Sequence, residues 1–318
     1  MRGSPGATRA RGTGRPAPRR DQTMSFLLLV EQALNGLQLG VTLFLIAAGL
    51  TLVLGIMNLV NLAHGSLYML GAFFAASFAR MTGSFALAVV LSLAASALVG
   101  LLVELVVLRH LYRRDHLDQV LGTFGLILFF NELTKIAWGP MALFVDVPPA
   151  LSGRVELIPG APYPVYRLVV LAAGLAVAAG LWWLITRTRL GMLIRAGASN
   201  REMVGALGID IDRLYTAVFA LGAALAAFAG AMAGPLYVVE IGMGDAILIK
   251  VFVVIVIGGI GSIRGAFVAA LLVGMVDTFG RILPSLAGLP SALAEMAVYV
   301  LMATVLFFRP TGLFAARG

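Results

Sequence analysis

The sequence has no cysteine and only two lysines. Without cysteine, the chain can form no disulfide and offers no thiolate to a metal or to a catalytic reaction. Neither Lys135 nor Lys250 follows a glycine-rich phosphate loop, so the chain has no Walker A motif with which to hydrolyse ATP. The three histidines, His64, His110 and His116, are too scattered for a local metal site. The patterns H-E-x-x-H and G-x-S-x-G are missing as well, which argues against an enzyme and against a cofactor bound by this chain.

Charge is scarce too. Charged residues make up 12% of the chain, against about 25% in soluble domains. Hydrophobic residues make up 60%, and the mean hydropathy is +0.99. Several stretches exceed the ~18 apolar residues that span the hydrocarbon core of a bilayer. We therefore expect an all-α fold, a polytopic transmembrane helical bundle of about eight or nine spans with broken or re-entrant helices.

The net charge of +8 comes from arginines outside the apolar runs and does not indicate nucleic-acid binding. Six of these arginines lie within residues 1–23, which are rich in Arg, Gly and Pro and which we expect to form a disordered tail. Residues 24–318 are expected to form one membrane domain.

Arginine-rich loops mark the cytoplasmic side of a membrane protein. This rule places residues 109–116, residues 187–213 and the C-terminal Arg309 inside, and the proline-rich loop of residues 139–166 outside. Counting back, the N-terminus lies outside if residues 63–79 cross the membrane fully, and inside if they are re-entrant.

Polar residues interrupt the second hydrophobic region, which reads MNLVNLAHGSLYMLGA over residues 57–72. Polar groups at membrane depth are tolerated where protein or a water-filled cavity surrounds them. We therefore name Asn58, Asn61, His64 and Ser66 as candidates for lining a translocation path, with Gly65 as a helix-break glycine. The alternative is that the two asparagines bond a neighbouring helix and that His64 is a satisfied interior histidine.

A second interruption reads GGIGSIRG, over residues 258–265. It lacks the third glycine of a dinucleotide-binding loop, and no βαβ unit surrounds it. A tight break between two membrane helices fits better, with break glycines Gly258, Gly259, Gly261 and Gly265. Glycine-interrupted segments of this kind recur at transporter sites.

The most polar internal stretch is RTRLGMLIRAGASNREMVGALGIDIDR, residues 187–213. Ser199 and Glu202 have the spacing of a capping box, and Gly208 is placed as a C-terminal helix stop. A helix over residues 200–207 would bring Met203, Ala206 and Leu207 onto one face. A helix this short persists only when docked. It therefore either packs on its own protein as a structured loop or fits a groove on a cytoplasmic partner.

Three stretches carry a family resemblance. They read LGIMNLVNLAHGSLYMLGA, then RAGASNREMVGALGIDIDRLYTAVFALGAALAAFAGAMAGPLY, then VVIVIGGIGSIRGAFVAALLVG. In this order they resemble the permease subunits of branched-chain amino acid ABC importers, of the LivH type. The resemblance covers nearly all of residues 24–314.

The resemblance implies a multi-pass inner-membrane permease paired with a LivM-like second permease. LivG-like and LivF-like ATPases, which bind the ATP, and a periplasmic solute-binding protein would complete the importer. In such importers a cytoplasmic loop couples ATPase closure to the pore, and that role maps onto residues 195–210. The residues concerned are Arg195, Ser199, Asn200, Glu202, Met203, Ala206, Leu207, Gly208, Ile209 and Asp210.

The substrate stays open at this point, because relatives of such permeases carry branched-chain amino acids, other amino acids, urea or short amides. A competing hypothesis is an ion- or proton-coupled secondary transporter of a small polar solute, which would need buried acids. Glu104, Glu132, Asp277 and Glu295 are available, each near a predicted helix end or beside a possible partner. A membrane scaffold without transport would give the polar breaks no purpose.

Overall fold

The structure is a computed structural model that describes residues 19–112, 114–158, 161–282 and 290–314. Helices dominate it, as the scarcity of charge predicts. The helices are α1 (Arg19–Met57), α2 (His64–Thr82), α3 (Phe85–Val103), α4 (Arg109–Leu111), α5 (His116–Trp138), α6 (Val165–Arg187), α7 (Arg189–Ser199), α8 (Arg201–Ala206), α9 (Ile211–Ala233), α10 (Met243–Gly258), α11 (Ile263–Gly280) and α12 (Ser291–Phe308). A π-helical turn, Glu104–Leu108, joins α3 to α4.

The long helices run between two ends of the bundle. We call them the proline-loop end, which holds residues 139–166, and the arginine end, which holds α4, α7, α8 and Arg309. Helices α1 and α11 are antiparallel, because Gly40 of α1 packs on Leu271 of α11 while Gly55 packs on Gly261, just before α11 begins. Helix α1 therefore starts at the proline-loop end and finishes at the arginine end.

Helix α2 returns the chain to the proline-loop end. The indole N–H of Trp138, the last residue of α5, donates to Ser77 Oγ of α2 at 2.6 Å. The Phe85 ring, which opens α3, contacts the Tyr166 ring at the start of α6. Six helices of the described residues are long and apolar enough to cross a membrane by length and composition, and α2 is not one of them. The number of spans and the choice between a full crossing and a re-entrant segment therefore stay predictions.

The centre of the bundle is built on small residues that let backbones touch. A Cβ on Gly71 of α2 would overlap the Ala227 backbone of α9, and one on Gly230 would overlap the Tyr68 carbonyl. Close approach of this kind is how membrane helices gain packing energy without a hydrophobic driving force. Helices α1, α2 and α9 form the most buried part of the molecule and hold both polar breaks in place.

The predicted helical bundle is confirmed, and one short pair of strands lies outside the helices. The proline-rich loop contains an antiparallel hairpin of β1 (Arg154–Ile158) and β2 (Ala161–Pro164), with Glu156 opposite Pro162. A two-stranded ribbon has only edges, and edge strands tolerate proline. The hairpin is fastened to α1, because the buried Tyr163 donates its hydroxyl hydrogen to Asn35 Oδ1 at 2.9 Å.

The predicted disordered tail, residues 1–23, lies mostly outside the described residues. Helix α1 begins at Arg19, directly after the last proline of the tail, so residues 19–23 are helical.

Candidate functional site

The break between α1 and α2 is made by asparagine. Asn58 has φ of 52° and is the residue other than glycine that has a positive φ among those described. Asparagine visits this left-handed region more readily than most residues do. Three residues on, Asn61 Oδ1 accepts the Ala63 backbone N–H at 3.1 Å and shapes the entry to α2.

The four path candidates separate into two groups. Asn58 is exposed and lines cavities of about 980 Å³ and 380 Å³ at the arginine end. Asn61, His64 and Ser66 are buried between helices. His64 Nε2 lies 3.2 Å from the Ile46 carbonyl oxygen, which can only accept, so this nitrogen carries the hydrogen.

Three polar atoms of the buried group have no hydrogen-bond partner among the described residues, namely Asn61 Nδ2, His64 Nδ1 and Ser66 Oγ. Buried polar groups are otherwise nearly always paired. The helix break at the centre of the bundle therefore contains several polar atoms that are free to form a hydrogen bond.

Gly65 does not form the break as predicted. It lies in the first turn of α2, where a Cβ would overlap the Gly244 carbonyl of α10. The backbone turns earlier, over residues 58–63, and Gly65 serves instead to bring two helix starts into contact.

The second break does follow the glycine pattern. Helix α10 ends at Gly258, Gly259 and Gly261 have φ of 98° and 80°, and α11 starts after Ser262, whose Oγ accepts the Gly265 N–H at 3.1 Å. Gly258 and Gly265 then pack back to back, because a Cβ on either would overlap the backbone of the other.

The end of the chain closes this break. Gly312 has φ of 81°, and the chain then crosses the end of α10. The Leu313 N–H donates to the Ile257 carbonyl at 2.8 Å, and the Phe314 N–H donates to the Gly258 carbonyl at 3.1 Å. These bonds satisfy carbonyls that have no partner within the helix.

The polar stretch of residues 187–213 folds into two helices, of which sequence reasoning found only the second. Helix α7 is capped by Thr188, whose Oγ1 accepts the Gly191 N–H at 3.1 Å. Because α7 continues through Ser199, that residue is not the predicted cap of the next helix. Asn200 takes this role, with its Oδ1 accepting the Met203 N–H at 2.9 Å.

Helix α8 agrees with the predicted helix of residues 200–207 to within one residue at each end. It finishes in a Schellman motif at Gly208, which has φ of 84°. The Gly208 N–H bonds the Gly205 carbonyl at 3.0 Å, and the Ile209 N–H bonds the Val204 carbonyl at 3.4 Å. Asp210 Oδ1 then caps α9 by accepting the Arg213 N–H at 3.1 Å.

The two faces of α8 differ in burial. Val204 is 4% exposed and anchors the helix to the bundle, whereas Met203 is 58% exposed and Leu207 is 73% exposed. The remaining predicted coupling residues are exposed as well, apart from the half-buried Ile209: Arg195, Ser199, Asn200, Glu202, Ala206, Gly208 and Asp210. The predicted apolar face of Met203, Ala206 and Leu207 is therefore left uncovered by the residues that the structure describes.

Helix α8 lies beside the asparagine break. The 380 Å³ cavity is lined by Asn58 and by the chain from Gly197 to Glu202. The start of α8 and the α1–α2 break therefore face the same cavity.

A buried carboxylate, Glu104, lies in the π-helical turn at the same end. Its Oε1 accepts from the Tyr112 hydroxyl at 2.9 Å, and its Oε2 accepts from Thr216 Oγ1 of α9 at 2.8 Å. The Arg109 guanidinium lies 3.6 Å away. Burial, and next the Glu104 charge, raises the pKa of Tyr112, which keeps the phenol protonated as a donor. These bonds tie α3 to α9, the helix that follows α8.

A second buried carboxylate, Asp277 of α11, was not singled out as a site. Its Oδ1 accepts from Lys250 Nζ at 2.8 Å and its Oδ2 from Arg281 Nε at 3.1 Å. The sequence did contain a signal for this cluster, because Lys250 and Asp277 lie inside apolar runs, where ionisable residues are rare.

Comparison with known proteins agrees with these observations. A family model described as the permease component of the branched-chain amino acid transport system matches residues 32–308. The chain is 33% identical to the high-affinity branched-chain amino acid transport system permease protein BraD of Pseudomonas aeruginosa, over 89% of this chain and 95% of the relative. It is 30% identical to the corresponding protein LivH of Salmonella typhimurium, over 91% and 96% of the two chains.

The resemblance extends further. The chain is 26% identical to the probable branched-chain amino acid transport permease protein LivH of Methanocaldococcus jannaschii, over 74% of this chain and 76% of the relative. The matches confirm the resemblance that the three sequence stretches carry. The chain belongs to the family of permease components of branched-chain amino acid transport systems.

Proposed function

We propose that the chain is the membrane-spanning permease subunit of an ABC importer that moves branched-chain amino acids across the inner membrane. Partner ATPases supply the energy and dock on residues 195–210. The observation that carries the docking assignment is the exposed apolar face of α8, held in place by the buried Val204. A short helix with exposed anchors at i and i+4 is suited to a groove on a partner.

In this assignment the arginine end faces the cytoplasm, in keeping with the charge rule for membrane proteins. The partners are two ATPases of the LivG and LivF type and a second, LivM-like permease. A periplasmic binding protein delivers the amino acid at the proline-loop end. The chain itself binds no cofactor, since ATP belongs to the partner subunits.

The mechanism is alternating access driven from α8. Closure of the ATPases on ATP pushes α8, and α8 passes the movement to α7 and α9 through the short connections at Asn200 and Asp210. Helix α9 packs along α1, α2 and α3, so its tilt changes the surroundings of the asparagine break. Asn58, Asn61, His64 and Ser66 then serve the path. The unpaired buried atoms of Asn61, His64 and Ser66 are available for a passing polar group.

The competing secondary-transporter hypothesis needs a buried acid that is free to exchange protons. Glu104 and Asp277 are both engaged by the donors described above. Glu132 is exposed and pairs with Lys135 at 3.6 Å, and Glu295 is exposed. These surroundings favour the ATP-driven proposal.

The test of docking is co-purification of the two ATPases with this chain. We expect Ala206→Arg with Leu207→Glu to abolish ATPase binding, because the changes place two charges on the docking face. Met141→Glu is the matched control, since Met141 is 76% exposed at the opposite end. Unchanged ATPase binding by a correctly inserted double variant would remove the assignment of residues 195–210.

The path assignment is tested by uptake of radiolabelled leucine into proteoliposomes that contain the whole importer. We expect replacement of Asn58, Asn61 and His64 by alanine to lower uptake at least tenfold while ATPase binding is kept. Full uptake by the triple variant would remove these residues from the path. Uptake driven by a proton gradient without ATP would instead support the secondary transporter.

A further inference from the structure

A cavity of about 570 Å³ lies at the proline-loop end, among α1, α6, α10, α11 and the connection from α9 to α10. None of its lining residues belongs to the predicted translocation path. Small-molecule sites typically have volumes of about 300–1,000 Å³ and apolar walls with a few placed polar groups. The volume of this cavity lies in that range, and its lining combines apolar side chains with polar and charged ones.

One wall of the cavity is cationic. The side chain of Asp277 is 6% exposed, and each of its two oxygens pairs with one cation, Lys250 or Arg281. One negative charge is therefore shared between two positive charges. An ammonium has three donors and a guanidinium five. Lys250 and Arg281 therefore keep donors, and positive charge, that Asp277 does not consume. Lys250 lies midway along α10, where a charge is costly unless it has a function.

The outer part of the cavity adds charge of both signs. Arg167, in the first turn of α6, donates from Nη1 to Asn35 Oδ1, the same oxygen that accepts from Tyr163. Glu240, in the connection before α10, lines the cavity and is exposed. The pKa of Tyr237 beside them is raised by burial, so this phenol stays neutral and available as a donor.

Apolar side chains form part of the lining, with Leu39 on α1 and Met243 and Ile247 on α10, beside neutral polar ones such as Gln38, Thr42 and Thr278. The cavity thus brings cations, an exposed carboxylate and aliphatic side chains to one space. An α-amino acid with an aliphatic side chain presents the complementary set of groups: a carboxylate, an ammonium and an apolar branch.

We infer that this cavity is a binding site for a zwitterionic aliphatic amino acid. Lys250 and Arg281 hold its carboxylate and Glu240 holds its ammonium, while Leu39, Met243 and Ile247 contact its side chain. The inference rests on the proposed function, because it names where the permease receives its substrate. Asp277 is a positioning residue that fixes the two cations without touching the ligand.

The experiment exploits the lack of cysteine in this chain. Ala246 lines the cavity and is exposed, so Ala246→Cys places one reactive thiol there. The assembled importer in proteoliposomes is labelled with a maleimide, and labelling of this chain is followed by mass spectrometry. We expect leucine to slow the labelling of Ala246→Cys and to leave that of Ser152→Cys, an exposed control at the same end, unchanged.

Ligand analogues identify the groups that the site recognises. Leucinamide lacks the carboxylate and 4-methylpentanoate lacks the ammonium, and we expect both to protect about tenfold less well than leucine, the scale for loss of a charged hydrogen bond. Equal protection by all three compounds would overturn the assignment of Lys250, Arg281 and Glu240.

Variants complete the test. On the Ala246→Cys background, Arg281→Gln and Glu240→Gln should each raise the half-protecting leucine concentration about tenfold. Arg80→Gln, which alters an exposed arginine at the same end, should leave it unchanged. Because Glu240 is exposed and outside the Asp277 cluster, its variant keeps the test independent of folding.

The outcomes separate this inference from the proposed function. Leucine uptake by the importer without protection of Ala246→Cys would overturn the site and leave the function standing. Protection by leucine without leucine uptake would keep the cavity as an amino-acid site and overturn the importer proposal.

Discussion

The two ends of the bundle each bury one carboxylate, and the two are held in different ways. Glu104 at the arginine end accepts hydrogen bonds from two neutral hydroxyls and lies 3.6 Å from the half-exposed Arg109. Asp277 at the proline-loop end is held by two cations at 2.8 Å and 3.1 Å. Neutral donors fix a carboxylate in place, whereas two cations on one carboxylate leave a positive surplus.

The difference bears on the two proposals. Glu104 ties the π-helical turn to Thr216 of α9, so it connects helices at the arginine end, which also holds α8. The Asp277 cluster lines a cavity, where its two cations have donors that Asp277 does not use. In the proposed mechanism, the first carboxylate would serve the transmission of movement and the second the binding of charge.

The largest effect is expected from Asp277→Ala. Removal of one member of a buried ion pair leaves an uncompensated charge and costs about 3–5 kcal/mol. Here Lys250, 27% exposed, would be left without its partner. We expect a marked drop in the thermal unfolding midpoint of the purified protein.

A double variant sharpens this result. Lys250→Met combined with Asp277→Leu replaces the pair by apolar side chains, and we expect it to recover most of the lost stability. The double variant should still fail to bind leucine in the cysteine-protection assay. A double variant as unstable as Asp277→Ala would contradict the view that the charge of Lys250 is the cause.

A smaller loss is expected from Glu104→Ala. The change leaves the Tyr112 hydroxyl without its acceptor, whereas the Thr216 hydroxyl keeps the Asp212 carbonyl at 2.9 Å. A buried unsatisfied donor costs about 1–3 kcal/mol. Arg109, with 38% of its side chain exposed, can be hydrated. The specific prediction is a lower ATP-driven uptake than in Thr304→Val, a control that removes an exposed helix hydroxyl on α12. Equal uptake by the two variants would mean that Glu104 has no part in passing the movement of α8 to the bundle.

The smallest effect is expected from Tyr112→Phe, which deletes one hydrogen bond to Glu104 and keeps the ring contact with Tyr215. The net value of such a bond is about 1 kcal/mol. Thermal unfolding should show a small shift, less than that of Glu104→Ala. A larger shift would mean that the phenol, and not the carboxylate, organises the cluster.

Local chemistry made part of this molecule predictable. The glycine stop at Gly208 and the break at Gly259 and Gly261 follow from conformations that glycine adopts at little cost, and all three have positive φ. The prediction that Ser199 caps the helix is wrong, because the next residue, Asn200, can also cap a helix and does so here. The choice between Ser199 and Asn200 depends on where α7 ends, and α7 itself was not predicted.

Contacts between distant segments were not predictable in the same way. Lys250 and Asp277 are on different helices, and their pairing depends on how α10 packs against α11. The position of Gly65 likewise depends on the approach of Gly244 from a helix nearly 180 residues later. The exposed face of α8 was predictable from its spacing, whereas its anchor, Val204, needed the bundle to be present.

The crossing of the α10 end by Leu313 and Phe314 joins two distant parts of the sequence. The carbonyls of Ile257 and Gly258 find their partners only in the segment that follows α12. The end of α10 therefore depends on a segment that can bond only once α10, α11 and α12 are packed together. Deletion of residues 312–314 would leave these two carbonyls without the partners that they have here.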